Sequence, residues 1–105
     1  MRNSIPPNII IEHGFNERDQ FEAKAKGYLS HVVVEVSDGR KYSVTFYDVT
    51  RLQQDLEYEV TTGRMCIAEV GMIVLPEVTL TNITLATTKL SAEGFFERLI
   101  PMNPA

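Results

Sequence analysis

The chain has 105 residues and a mass of 11.9 kDa, which corresponds to one domain. It is 44% hydrophobic and 23% charged, so its composition is that of a globular protein and not of a disordered one. Its net charge of -4 gives it no long-range attraction to phosphate backbones, and we expect no nucleic-acid partner.

The single cysteine, Cys66, excludes an internal disulfide and favours a reducing compartment. The N-terminal segment is interrupted by Pro6 and Pro7 and has no apolar run of signal-peptide length. No stretch approaches the roughly 18 apolar residues of a membrane helix. We therefore expect a soluble, cytoplasmic protein without a membrane partner.

Residues 1–27 contain few apolar positions and differ in this from the rest of the chain. Asn16 is typical of a helix N-cap, and Asp19 lies near the positive end of the helix dipole that would follow. A short helix over 16–26 would be marginal alone, because only Phe21 and Ala25 form its apolar face. We expect a loosely packed N-terminal arm that carries this helix.

Alternating apolar residues predict a β-hairpin over 30–47, the clearest pattern in the chain. A two-residue turn at Asp38-Gly39 would mix apolar and polar side chains on both faces. A three-residue loop, Ser37-Asp38-Gly39, puts the apolar residues on one face and Glu35 opposite Lys41, so we predict this loop. The other pairs that follow from it are Val36–Arg40, Val34–Tyr42, Val32–Val44, Ser30–Phe46, Val33–Ser43 and His31–Thr45.

An amphipathic helix is predicted over 48–62, with Asp48 as its N-cap and Gly63 as the residue that ends it. Its apolar residues recur at spacings of three, four and four and fall within about 80° of a helical wheel. These residues are Val49, Leu52, Leu56 and Val60. Since an amphipathic helix buries its apolar stripe, we expect the stripe to pack on the sheet.

The next segment, 65–75, is a long apolar run. It fits either one buried strand or a tight hairpin that turns at Val70-Gly71. As one strand it would have two apolar faces, so a second copy of the chain could cover one face in a homodimer, unless helices or the N-terminal arm cover it. Within this run we expect Cys66 to be a buried, inert thiol.

Residues 79–93 contain five threonines, which favour strand, yet they also show a helical stripe of apolar residues followed by Gly94. We predict a helix from the stripe. A short strand over 95–100 and a frayed tail over 102–105 complete the chain.

Together these elements predict an α+β fold with a single domain over residues 28–101. Its largely antiparallel sheet would combine the hairpin with strands near 65–75 and 95–100. The helices 48–62 and 79–93 would pack on one face of this sheet.

No motif for a cofactor, a metal or a phosphate is present, and we expect none of these ligands. His13, His31 and Cys66 lack the spacing of metal ligands. A small enzyme or ligand-binding domain would have to combine Glu69, the one charge in its apolar run, with His13 or His31.

The acidic helix is the best candidate for a binding surface. Residues 48–78 carry six acids and two bases, and thereby the whole net charge of the chain. Asp55 and Glu59 lie along one flank of this helix, with Arg51 four residues before Asp55, and Tyr58 lies opposite the apolar stripe. Because an exposed tyrosine beside carboxylates suits a basic protein partner, we predict a protein-binding or accessory module without catalytic activity. A structural subunit of a homo-oligomer is a further alternative.

Overall fold

The computed structural model describes residues 6–103. In chain order its elements are β1 (Asn8–Ile11), α1 (Glu17–Lys26), β2 (Tyr28–Glu35), β3 (Lys41–Asp48), α2 (Val49–Thr61), β4 (Met72–Leu75), α3 (Leu80–Ala92) and a 3-10 turn (Phe96–Arg98). The strands form one sheet in the order β1-β2-β3-β4, with β4 parallel to β3 and the other neighbours antiparallel. The predicted α+β fold is confirmed.

The core lies on one face of the sheet, beneath α1 and α3. Alternate strand residues such as Val34, Val44 and Phe46 point into it and are fully or almost fully buried. Ile83 of α3 and Ala23 of α1 meet them there. Each large apolar side chain buried in this way contributes about 1.5–3 kcal/mol to folding.

The hairpin between β2 and β3 has the predicted three-residue loop. The amide of Val36 donates to the carbonyl of Arg40 at 3.0 Å, and the amide of Gly39 donates to the carbonyl of Val36 at 2.9 Å. Gly39 has a φ of 88°, the left-handed conformation that this loop requires. The predicted pairs Val34–Tyr42, Val32–Val44, Val33–Ser43 and Glu35–Lys41 are all present.

Two predicted pairs of the hairpin, Ser30–Phe46 and His31–Thr45, are wrong because a β-bulge interrupts β2. Leu29 pairs with Phe46, so that Ser30 and His31 together lie opposite Thr45. The extra residue places the apolar Leu29 against the core, where a regular strand would have placed a serine. His31 accommodates the bulge with a φ of 59°.

The N-terminal segment packs on the sheet, and the expectation of a loose arm is corrected for residues 8–26. β1 pairs with β2 along its whole length, and Ile9 and Ile11 contact the core. Helix α1 begins with a capping box, in which Asn16 and Asp19 each accept a hydrogen bond from the other's backbone amide. Residues 1–5 of the predicted arm lie outside the described residues.

The predicted strand over 95–100 is wrong: Phe96–Arg98 form a 3-10 turn after Gly94 ends α3. The turn inserts Phe96 into the core, 2% exposed and with its ring centroid 5.8 Å from that of Tyr42. The following residues are held by the hairpin. The amide of Met102 donates to the carbonyl of Lys41 at 2.7 Å, and the side chain of Asn103 accepts from the amide of Lys41 at 2.9 Å. The predicted frayed tail therefore does not include these two residues, and 104–105 lie outside the described range.

Helix α3 confirms the helical prediction for 79–93, and the structure accommodates its threonines. The hydroxyl of Thr79 caps the helix by accepting from the amide of Asn82 at 3.2 Å. Thr87 is fully buried, but its hydroxyl donates to the carbonyl of Ile83 at 2.8 Å and is thus satisfied.

The apolar run 65–75 matches neither of its two predicted forms completely. The chain turns at Val70-Gly71, as the hairpin alternative required, but only Met72–Leu75 is a strand. Residues 64–69 have no regular secondary structure and lie outside the sheet.

The junction between α1 and α2 depends on Gly27 and Asp48. Gly27 ends α1 with a φ of 66°, and its carbonyl accepts from the amide of Asp48 at 2.9 Å. The Asp48 carboxylate caps α2 by accepting from the amide of Arg51 at 2.7 Å. A Cβ on residue 27 would overlap this carboxylate.

We expect Gly27→Ala to destabilise the fold by at least about 2 kcal/mol, because it adds left-handed strain and displaces a helix cap. Gly63→Ala is the matched control: Gly63 also ends a helix, with a φ of 90°, but a Cβ there meets open space. This control should lose about 1 kcal/mol from strain alone. Urea denaturation measures both, and equal losses would contradict a specific role for the Gly27–Asp48 contact.

Candidate functional site

Helix α2 leaves three of the four residues of its apolar stripe exposed to solvent, against the predicted orientation, and only Leu52 is half-buried. None of its residues is buried, and Val49, Leu56 and Val60 are 63%, 39% and 42% exposed. We call these three residues the α2 stripe. The predicted helix 48–62 is thus confirmed, but the prediction that its stripe packs on the sheet is wrong.

The width of the sheet limits how many helices its core face accepts. Four strands spaced about 4.8 Å apart make a surface about 19 Å wide, which accommodates two helices of about 10 Å diameter. These places are taken by α1 and α3, whose Ala23, Ile83 and Thr87 are buried. The core therefore forms without residues from helix α2.

Polar contacts on the other flank hold α2 to the rest of the protein. The Arg51 guanidinium lies 4.7 Å from the ring centroid of Tyr28, a cation–π geometry, and donates to the carbonyl of Lys26 at 3.3 Å. It also pairs with both carboxylate oxygens of Asp55 at 3.0 Å. Arg51 and Asp55, predicted as binding residues, are thus partly buried and occupied in anchoring the helix.

The other two predicted binding residues lie at a cleft of about 210 Å³ beside α2. Tyr58 is 67% exposed at its rim, and Glu59 pairs with Arg64 at 3.5 Å. The wall opposite the helix is formed by residues 66–69. We call this the tyrosine cleft.

A hydrogen bond from Tyr47 to Glu69 fixes this opposite wall. The Tyr47 hydroxyl donates to a Glu69 carboxylate oxygen at 2.9 Å, and Tyr47 is only 3% exposed. Burial, followed by the hydrogen bond to Glu69, raises the pKa of Tyr47 well above its usual value. The Tyr28 ring packs edge-on against Tyr47 at 5.0 Å between centroids and links the wall to the anchor of α2.

Cys66 lies in the same wall and is exposed, so the prediction of a buried thiol is wrong. The physical reason is that residues 64–69 do not enter the sheet. Within residues 6–103 no group of three or more histidine, cysteine or carboxylate side chains has the arrangement to hold a metal ion.

The two histidines line a second cleft, of about 370 Å³, to which Tyr28 also contributes. We call it the histidine cleft. His13 and His31 line it, and both have left-handed backbone conformations, with φ of 68° and 59°. Phe15 and Leu29 provide apolar surface there. Glu69 belongs to the tyrosine cleft instead, so the structure does not bring it together with either histidine.

Comparison with known proteins finds no matching family model, no matching curated protein and no matching solved structure. Over residues 6–103, none of the helices has both the length and the apolar character needed to cross a membrane.

Sequence reasoning did not identify the α2 stripe as an exposed group of residues. The i, i+4 pair Arg51–Asp55 could be recognised, but whether this flank or the stripe faces the core depends on how many other helices the sheet accepts. A loose N-terminal segment would leave α2 a place on the sheet, but in the structure α1 packs there through Ala23.

We expect Tyr47→Phe to lower the free energy of unfolding by about 1 kcal/mol at pH 8, since it removes the hydrogen bond to Glu69. The raised pKa of Tyr47 means that the native state keeps this proton when tyrosines of the unfolded chain ionise, near pH 10. Stability of the wild type therefore falls as pH rises above about 10, and the variant should fall less steeply. Urea denaturation at several pH values measures this difference. If the free energy of unfolding fell equally steeply above about pH 10 in both proteins, the assigned role of the Tyr47–Glu69 hydrogen bond would be contradicted.

Proposed function

We propose that this chain is a protein-binding or accessory module whose binding element is α2. The observation that carries the proposal is that its most amphipathic helix buries no residue and leaves both the α2 stripe and Tyr58 accessible. Exposed apolar patches of this kind, rimmed by polar residues, are typical of interaction sites.

Charge supports the same location and indicates a basic partner. Seven of the twelve exposed large hydrophobic side chains in the described chain lie between residues 49 and 74. The slightly longer segment 48–78 carries the whole net charge of -4, through Asp48, Asp55, Glu57, Glu59, Glu69 and Glu77 against Arg51 and Arg64. A partner with basic side chains around an apolar contact would complement both properties.

The double variant Tyr58→Ala/Glu59→Lys should keep its fold, because Tyr58 is exposed and the Glu59–Arg64 pair lies at the surface. We expect it to lose at least about tenfold in capture of a partner from the lysate of cells that make the protein. Quantitative mass spectrometry of the captured proteins measures the loss.

The matched control is Leu85→Ala/Glu93→Lys on α3. Leu85 is 65% exposed, and Glu93 forms a surface pair with Lys89 at 3.4 Å, so the chemical changes are closely similar. The control should capture the same proteins as the wild type. If both variants behave alike, α2 is not the binding element.

The histidine cleft supports ligand binding as a second candidate function. Its volume lies within the range of about 300–1,000 Å³ that is usual for small-molecule sites. Two non-glycine residues with strained backbones at one cleft are also typical of functional sites.

This second function predicts that a small ligand shifts the amide signals of Gly14, Leu29 and His31 together in a nitrogen-15 NMR titration. A panel of small aromatic and aliphatic compounds is the probe. Shifts scattered over the surface, or no shifts at all, would contradict a ligand site at the histidine cleft.

A further inference from the structure

Resting on the proposed function of α2, we infer that the segment of the partner bound there is a basic amphipathic helix that lies along the α2 stripe. Its apolar row would contact Val49, Leu56 and Val60, and its lysine or arginine side chains would reach carboxylates on both sides of the stripe. A basic amphipathic helix is a definite partner chemistry, whereas exposure of the stripe alone indicates only that something apolar binds there.

The geometry of the stripe fits a helix as its occupant. From Val49 to Val60 it extends over three turns of α2, about 16 Å at 1.5 Å per residue. The apolar positions recur with the spacing of helix–helix contacts, in which rows of side chains on one helix pack into the grooves of another. A partner helix of similar length would cover the stripe completely.

The charges beside the stripe determine which charge the partner must carry. On a helical wheel Glu57 and Glu59 lie about 80° to either side of the stripe, so each flank carries a carboxylate, of which that of Glu59 also pairs with Arg64 at 3.5 Å at the surface. The one basic residue of α2, Arg51, lies on the far side of the helix and pairs with Asp55. Cationic side chains along both edges of an apolar row would complement this arrangement.

The same charges disfavour a second copy of this chain as the occupant. Two α2 helices packed across a two-fold axis would bring Glu57 and Glu59 of both copies to one interface. Like charges at short distance oppose association, and since Arg64 pairs with Glu59, the carboxylate of Glu57 in particular is left without a nearby base of α2 to offset it.

The test uses two synthetic helical peptides of about 18 residues, long enough to be helical when bound. Both carry the same leucine row, and the flanking positions are lysine in one and glutamate in the other. Fluorescence anisotropy of labelled peptides measures binding to the full chain. We expect the lysine peptide to bind about tenfold or more tightly, and the advantage to shrink between about 50 mM and 500 mM salt because exposed charges are screened.

Substitutions in the chain show whether the lysine peptide binds at the α2 stripe. Leu56→Ser/Val60→Ser should abolish binding of the lysine peptide, whereas Leu85→Ser, at a leucine of α3 that is 65% exposed, should leave it unchanged. Val49→Ser, at a position 63% exposed, serves in the same way if the double variant does not fold. Glu57→Gln/Glu59→Gln should remove the preference for the lysine peptide.

Three outcomes would overturn the inference. Binding of neither peptide, or equal binding of both, would exclude a basic helix on the stripe. A wild-type dimer in sedimentation that Leu56→Ser/Val60→Ser dissociates would show that a second copy covers it. In each case a loss of cellular capture in Tyr58→Ala/Glu59→Lys would still support the proposed function, so the two can fail separately.

Discussion

The contact of Asp48 with Gly27 determines where α2 begins, and most of the surface described above depends on it. Asp48 is the last residue of β3 and the cap of α2, while its backbone amide is bonded to the end of α1. Because only glycine leaves room for the carboxylate, two helices and two strands meet at one point. The anchors of Arg51 on Tyr28 and Lys26 then lie one turn further on and hold the polar flank of α2 inward.

This arrangement makes the rest of the protein a compact frame for one exposed helix. The sheet, α1, α3 and the turn around Phe96 form the core without any contribution from α2. The Tyr47–Glu69 hydrogen bond attaches the returning chain at residues 64–69 to the same frame. A helix that the core does not need is free to be selected for what it binds, which is the physical basis for proposing α2 as the binding element.

The sequence correctly predicted those features that depend on interactions between residues close together in the chain. The hairpin loop, the caps at Asn16 and Asp48, and the glycines that end α2 and α3 follow from side-chain geometry within a few residues. The bulge at His31, the packing of α1 and the outward stripe depend on competition for one sheet face, which no single segment encodes. The segment 95–100 is apolar at both ends and is followed by Pro101, a pattern that fits a short strand as well as the 3-10 turn observed at Phe96.

Cys66 gives this molecule a built-in reporter position. It is the only cysteine in the sequence, it is exposed, and it lines the cleft on which Tyr58 and Glu59 also border. A thiol-reactive fluorophore would therefore attach at one place, next to α2, without any engineered residue. A label there senses a change in its surroundings when a molecule occupies the helix, while the core remains untouched.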